Sequence, residues 1–536
     1  MRYIALLTAL IINLGVTAQP KLQTIAESSD FKSTSEHRDV MAFIKELVKT
    51  SPYIRTENIA VSVEGREIPL LIIGNPLPSS PQDLKGDKRI VVYIQANIHA
   101  GEVEGKEAVL MYARDLLKEK NPAVLKNVVL LICPDFNPDG NDKISRENRS
   151  DQNGPENGVG VRYNGQSLDL NRDAMKAESP EVRGVLKNVF NRWDPSIFMD
   201  CHTTDGSFHV EPVTFTWMVN PNGSRRLINY MKDMMMPAMS ESLSGKYKVE
   251  NCFYGEFIDM LNPEKGWILD ASDPRYMSNY VGLRNRLGIL NENYVYAPYR
   301  DRVYGCYYLI HSLMEYAAGH STEIKSMLSE ADAATASGFQ SDSFAIEYKV
   351  RPLDKKVKVR TYEAELVKQE GAWPEFRNTG RQIDVTIPYL IDWEPARSVK
   401  VPYAYILSVK DPAIIETLRN HGVIIEKLAT PADIPVQRFD ISALKAAERL
   451  NQGHHSNTIS GKYTSVNMSF PEGTIIVKTS QPLARLAAYL LEPQSNDGFA
   501  VWNFFDRYLV PQWGSGYNPF PVYKLMEKTE IRTVSY

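Results

Sequence analysis

The sequence predicts an α/β protein with a mixed, twisted sheet flanked by helices, followed by a β-rich C-terminal region. Up to about residue 320, short apolar runs typical of strands alternate with segments whose apolar residues recur at helical spacing. Strands that alternate with helices favour a parallel or mixed sheet covered on both faces. Beyond about residue 325, alternating β-branched runs dominate. With 536 residues, 43% of them hydrophobic, the chain can bury more than one core.

The first half of the α/β region contains the clearest elements. Unbroken β-branched runs indicate buried strands, and apolar residues at helical spacing indicate a helix between two of them. In chain order we predict a helix over 37–49, a hairpin over 59–73 that turns at Glu64-Gly65, a strand over 90–94, a helix over 104–118 and a strand over 128–132.

The next segment, 134–168, is rich in Asn, Gly, Asp and Arg and has little periodicity, which indicates a long loop. A loop of this length in a compact domain is usually functional. The alternating pattern then resumes with a helix over 180–193, a strand over 196–200, a Met-rich helix near 227–239, a strand over 288–290 and a helix ending near residue 318.

The C-terminal part differs in character. Small and polar residues over 331–343 are typical of a linker, so we predict an N-terminal domain over 19–330 and a β-rich accessory region over 340–536. Within that region we predict strands over 357–360, 383–387 and 474–477 and helices over 412–420 and 443–450.

The N-terminus has the pattern of a secretory signal peptide over residues 1–18. Arg2 precedes an apolar run, Tyr3 to Val16, and the small residue Ala18 ends it. We therefore expect export to the periplasm or medium after cleavage near Ala18. No later run reaches the ~18 apolar residues that a membrane span needs. The net charge of −4 and pI near 6.2 do not indicate a nucleic-acid partner.

Two histidines and one glutamate have the pattern of a catalytic zinc site. His99 and Glu102 form a His-x-x-Glu motif, which places an imidazole and a carboxylate within one turn, and His202 follows about a hundred residues later. Two His and one carboxylate leave a fourth zinc position open, as catalysis requires. A second His-x-x-Glu begins at His320, but it follows a predicted helix end, whereas His99 lies between a strand and a helix.

With these motifs in view, residues 40–320 resemble the zinc carboxypeptidase family of carboxypeptidase A type, as a secreted, bacterial-style member. The resemblance rests on five segments in the family's order: His99 to Glu102, Asn137 to Gly140, Asp169 to Arg172, Asp200 to His202, and Leu290 to Glu292. It implies a peptidase that binds one zinc ion and hydrolyses a C-terminal peptide bond through zinc-bound water.

The resemblance also implies roles for individual residues. His99, Glu102 and His202 would bind zinc, and Asp169 would orient His99. Glu292 would act as the general base, and Arg149 would stabilise the oxyanion, with Arg146 and Arg162 as competing candidates. The implied substrate-binding residues, which would hold the terminal residue and its carboxylate, are Asn171, Arg172 and Tyr280. Tyr276 is a further candidate for the tyrosine.

Other interpretations remain open at this stage. A related zinc amidohydrolase could act on N-acyl amino acids or another non-peptide amide, and a non-catalytic binding protein could retain the fold. The sequence does not indicate which side chain the pocket prefers. It also leaves open a disulfide between Cys252 and Cys306.

Overall fold

The computed structural model describes residues 22–339, 342–368 and 374–536, so the predicted signal peptide lies outside the described residues. No described helix has both the length and the apolar character to cross a membrane. The helices are α1 (Ile25–Ser28), α2 (His37–Leu47), α3 (Glu104–Lys118), α4 (Pro138–Asn141), α5 (Pro180–Val185), α6 (Arg225–Tyr230), α7 (Met236–Ser242), α8 (Met277–Leu283), α9 (Tyr299–Gly319), α10 (Ser321–Gly338), α11 (Pro412–Asn420), α12 (Ala484–Leu491) and α13 (Asp506–Leu509).

Strands of the main sheet are mostly short and buried, as their apolar sequences predict. The strands up to residue 294 are β1 (Ile54–Val61), β2 (Glu67–Ile73), β3 (Ile90–Ala96), β4 (Val128–Cys133), β5 (Ile197–Thr204), β6 (Val213–Trp217), β7 (Asn251–Phe253), β8 (Glu256–Phe257), β9 (Trp267–Ile268) and β10 (Leu287–Tyr294). Of these, β8 and β9 belong to a separate, smaller sheet. In the described chain the main sheet has the order β1-β2-β4-β3-β5-β10-β6-β7.

The centre of this sheet is parallel: β4, β3, β5 and β10 all run in one direction. Parallel strands bring their carboxyl ends to the same edge, where open α/β sheets bind ligands. In the register of β10 against β5, Glu292 is paired with His202. The sheet therefore places two separate sequence motifs side by side.

Helices cover both faces of the sheet, which confirms the predicted fold class. On one face α3 packs over β3 and β5 and α9 packs over β3 and β10, with Leu110 and Leu309 among the fully buried side chains. On the other face α5 and α8 contribute Val182 and Tyr280 to a second core. The predicted helix over 104–118 and the helix over 412–420 coincide with α3 and α11.

The C-terminal region is rich in long strands. They are β11 (Ser343–Pro352), β12 (Val357–Lys368), β13 (Glu375–Ile387), β14 (Tyr389–Lys400), β15 (Ala404–Leu407), β16 (Glu426–Leu428), β17 (Ala432–Ala446), β18 (Asn457–Phe470), β19 (Ile475–Lys478), β20 (Val522–Leu525) and β21 (Thr533–Ser535). Strand β14 pairs with β9 of the α/β region, and Leu418 and Tyr489 belong to the same core as Tyr280. The two regions therefore share a sheet and a hydrophobic core.

Two sequence predictions in this half are wrong. The first part of the segment predicted as a linker, residues 331–338, is the end of α10, and its alanines are the strongest helix formers. The segment 443–450 is not a helix, because its first four residues extend β17 and pair with β18. Pairing with a neighbouring strand overrides the local helix propensity of Ala443 to Ala446.

All four cysteines are free and buried. The Cys252–Cys306 disulfide considered above is therefore not present. Cys306 lies instead beside Cys201, with 3.9 Å between their sulfur atoms.

One buried carboxylate in α5 should make stability depend on pH. Glu181 is fully buried, accepts one hydrogen bond from Asn164, and has no partner for Oε1 among the described residues. Burial, helped by the nearby Asp139 and Asp173, raises the pKa of Glu181 to about 7. Because the folded state binds the proton more tightly, stability should fall as the pH rises from about 4.5 to about 7 and then level off.

Glu181→Gln should remove this part of the pH dependence and raise the unfolding free energy at pH 8 by on the order of 1–3 kcal/mol. Urea denaturation at pH 4.5 and pH 8 measures both effects. Glu264→Gln, at an exposed position, is the control and should change neither value. An unchanged pH slope in Glu181→Gln would show that this carboxylate is ionised in the folded state.

Candidate active site

The His-x-x-Glu motif lies in the turn between β3 and α3. The backbone N–H of Glu102 donates to the carbonyl of His99 at 2.9 Å, so the turn directs both side chains to one side. Gly101 has no room for a side chain, because a Cβ there would lie 2.6 Å from Cδ of Arg149. The glycine therefore allows the arginine to pack directly over the turn.

His202 enters the same site from β5. Its Nδ1 lies 2.9 Å from Glu102 Oε2 and 3.2 Å from His99 Nδ1, and His99 Nδ1 lies 3.0 Å from Glu102 Oε1. Ligands at about 2.0–2.1 Å from one tetrahedral zinc are separated by roughly 3.3 Å, so this donor set fits the metal. Within the described residues, these three side chains are the one group arranged to hold a metal ion.

Electrostatics at the three side chains also fit a cation. Burial acts to raise the pKa of Glu102, but His99, His202 and Arg149 outweigh it and hold that pKa well below its usual range. Burial acts to lower the pKa of His202, but Asp200 and Glu102 outweigh it and raise that pKa. The Glu102 carboxylate is therefore ionised, and the space between Glu102 and the two histidines favours a positive charge.

Each histidine is oriented by a carboxylate on its other ring nitrogen. Asp169 Oδ1 lies 2.9 Å from His99 Nε2, and Asp200 Oδ2 lies 3.1 Å from His202 Nε2. Such partners fix the ring so that the remaining nitrogen faces the metal. The resemblance implied this role for Asp169 but none for Asp200, although a carboxylate two residues before a ligand in a strand lies on the same face.

Glu292 lines the same pocket without belonging to the ligand group. Burial and the nearby Glu102 raise the pKa of Glu292 to about 8, while His202, Arg149 and Arg162 oppose the shift. A carboxyl group with a pKa near neutrality, held beside a metal site, is suited to accept and return a proton.

The structure separates the three candidate arginines. Arg149 donates to Glu102 Oε1 at 3.1 Å and to the carbonyl of Thr203 at 3.0 Å, so its guanidinium lies beside the ligands. Arg162 also lines the pocket and donates to Asp169 Oδ2 at 2.7 Å. Arg146 is exposed, bonds Asn157, and does not line this pocket.

Asn171 and Arg172 both line the pocket, whereas Tyr280 does not. Arg172 stacks on the ring of Tyr276, 4.5 Å from its centroid, and Tyr276 is a pocket residue. Tyr280 is fully buried in the core, and its hydroxyl lies 2.9 Å from His421 Nδ1. The prediction that Tyr280 contacts substrate is therefore not supported by its position.

One wall of the pocket was not anticipated from the sequence. It is formed by segments between β5 and α8 and includes Asp205, Tyr254, Glu256 and Asp270. These residues have no motif and lie in irregular segments or short strands, so no periodic pattern marks them.

The comparisons with known proteins point to one family. The zinc carboxypeptidase family model matches residues 40–210, which include all three proposed ligands. Over these residues the chain is similar to the zinc carboxypeptidase family. The metal of this family is zinc, and the protein is accordingly a hydrolase of the metallocarboxypeptidase class.

One relative is similar to this chain beyond that segment, and others are similar over part of it. Carboxypeptidase 2 of Trichophyton rubrum is 22% identical over 480 residues, which cover 85% of this chain and 82% of that protein. Human carboxypeptidase D is 30% identical over 169 residues, which cover 30% of this chain and 11% of that protein. Among solved structures, a metallo-carboxypeptidase from Burkholderia cenocepacia is 17% identical with a TM-score of 0.39, over 53% of this chain and 69% of that chain.

Proposed function

We propose that this zinc carboxypeptidase homologue is an exported enzyme that removes the C-terminal residue from peptides, with Glu292 as general base. The observation that carries the proposal is the convergence of three kinds of group in one pocket. An open set of three metal ligands, the non-ligand carboxylate of Glu292 and the guanidinium groups of Arg149 and Arg172 all line it. A C-terminal peptide bond presents a carbonyl, a water-accessible carbon and a free carboxylate to these groups.

His99, Glu102 and His202 would hold the zinc ion, which polarises a water molecule and lowers its pKa to about 7. The carboxylate of Glu292 would take a proton from the attacking water and later deliver it to the leaving amine. Its position on β10, paired in register with His202 on β5, keeps it beside the ligands without making it one.

Charge that develops on the scissile carbonyl oxygen needs a fixed donor. Arg149 is the side chain best placed to supply it, since its guanidinium already lies at Glu102 and the Thr203 carbonyl. Losing one such donor typically costs about 10²–10³ in rate. Arg162 remains the competing candidate, since its Nε donates to Asp169 and its Nη1 lies 3.7 Å from Glu102 Oε1, farther than the 3.1 Å of Arg149.

Asn171 and Arg172 would bind the substrate's terminal carboxylate. A guanidinium fork matches a carboxylate in charge and in geometry, through two parallel hydrogen bonds. The ring of Tyr276 under Arg172 fixes the plane of that fork. The export proposal rests on the apolar run from Tyr3 to Val16, which follows Arg2 and precedes Ala18.

The test compares peptides with a free C-terminus and the same peptides amidated. For the wild type, amidation should lower kcat/KM by about 10²-fold or more, because two hydrogen bonds to a charged group are lost. Arg172→Ala should lower kcat/KM on the free acid by a similar factor and change the rate on the amide little. Initial rates measured by chromatography of the released residue give all four values.

Arg146→Ala is the matched control, since it removes an arginine that lies outside the pocket, and it should hydrolyse both substrates like the wild type. Equal rates on free and amidated peptides would refute cleavage at the C-terminus. Turnover of N-acyl amino acids in preference to peptides would assign the site to a non-peptide amide instead.

A further inference from the structure

The turn of a C-terminal hairpin reaches the active-site loop. Strands β17 and β18 are joined by residues 447–456, and a bridge between Asn451 and His454 closes the turn. The two central residues, Gln452 and Gly453, have φ of 52° and 80°. Positive φ at both positions is what the tight turn of a hairpin requires, so Gln452 is presented at the tip in a defined orientation.

Gln452 contacts Asp169 across 283 positions of sequence. Its Oε1 accepts a hydrogen bond from the backbone N–H of Asp169 at 2.7 Å. Asp169 precedes the short helical turn Leu170–Arg172 and caps it, because its Oδ1 accepts from the N–H of Asn171. As the capping residue, Asp169 has a backbone N–H that the turn itself does not satisfy.

The carboxylate of Asp169 connects this contact to the metal ligands. Oδ1 lies 2.9 Å from His99 Nε2, and Oδ2 accepts from Arg162 Nε at 2.7 Å. The backbone position of Asp169 sets where its carboxylate lies relative to these two partners. Gln452 holds that backbone from outside the loop.

A second contact fixes the hairpin tip on the same loop. His454 Nε2 lies 2.8 Å from Glu178 Oε1, and its Nδ1 lies 3.0 Å from Asn503 Oδ1. The ring also packs edge-on against Trp502, with 5.6 Å between centroids. The tip is therefore anchored at two points, to the residue that orients His99 and to the segment just beyond Arg172.

We propose that Gln452 is a positioning residue of the metal centre, which it orients through the backbone of Asp169. The effect on the metal follows from the geometry alone, whereas the effect on peptide hydrolysis rests on the proposed function. Residues in contact with a ligand typically contribute 10–100-fold to metal affinity or activity. Gln452 is one contact further from the metal than such residues. We therefore expect its loss to change the rate of zinc release and the activity by about 3–10-fold.

Two substitutions isolate the hydrogen bond. Gln452→Met keeps the length of the side chain and removes the acceptor, whereas Gln452→Glu keeps an acceptor oxygen at the same length. Arg449→Ala, an exposed change on the same hairpin connection, is the control. Thermal unfolding should be close to wild type for all three, since Gln452 lies in a half-buried turn.

Three readouts are measured on the full chain. In the metal-free protein, amide hydrogen exchange of the segment containing Asp169 should be faster in Gln452→Met by about the same 3–10-fold. Zinc release to an excess of chelator should be faster by a similar factor. On a C-terminal peptide, kcat should fall while KM changes less, and Gln452→Glu should restore all three values towards wild type.

Wild-type exchange and zinc release in Gln452→Met would overturn the proposal. Equal losses in Gln452→Met and Gln452→Glu would also overturn it, because the acceptor would then be irrelevant. If the wild type hydrolyses no peptide, the proposed function fails, but exchange and zinc release still decide the role of Gln452.

Discussion

Replacing Glu292 by glutamine should lower kcat by about 10²–10⁴-fold and leave zinc content unchanged. The amide has nearly the shape of the carboxylate but cannot accept a proton from water. Glu292 lines the pocket outside the ligand group, so its loss should not release the metal. Steady-state kinetics on a C-terminal peptide, together with metal analysis of the purified variant, measures both quantities.

The matched control is Glu256→Gln, which removes one negative charge from the same pocket and should keep kcat within about tenfold of wild type on a neutral peptide. Wild-type kcat in Glu292→Gln would mean that the base lies elsewhere. Loss of zinc in that variant would mean that Glu292 binds the metal.

Replacing His202 by alanine should remove zinc and activity together. The variant retains only His99 and Glu102 as ligands, and it leaves the Glu102 carboxylate buried without one of its partners. We expect zinc occupancy after dialysis to fall at least tenfold, a loss in keeping with the removal of one of three ligands. Zinc content and the rate of peptide hydrolysis, both measured on the same preparation, should fall in parallel.

The chain offers an internal control for this variant. His320 begins a second His-x-x-Glu sequence, but it lies at the end of α9 and does not take part in the metal group of the described residues. His320→Ala should keep full zinc and full activity. A His202→Ala protein with wild-type zinc and turnover would contradict the ligand assignment.

Sequence reasoning succeeded where the signal is local. The strand before His99 and the helix after Glu102 follow from apolar spacing, and α3 has the predicted bounds. It failed where tertiary packing overrides local preference, as in Ala443 to Ala446, which pair with β18 although alanine favours helix. The prediction that Tyr280 binds substrate also failed. It was based on the sequence distance between Tyr280 and Glu292, which does not indicate which side of a helix faces the pocket.

Ligand chemistry was determined by the sequence alone. The residue types at His99, Glu102 and His202 specify a metal site with an open position, and the strand before His99 places its motif on a strand-to-helix loop. Those statements depend only on residue identity and local periodicity, which a sequence states directly.

Only the tertiary structure decided which side chains complete the site. It places Arg149 rather than Arg146 beside the ligands and Tyr276 rather than Tyr280 in the pocket, and it brings Gln452 of the C-terminal region into contact with Asp169. These contacts are made across long sequence separations by loops and hairpin turns. No periodic pattern encodes them, because the direction of a loop is set by what the whole fold packs against it.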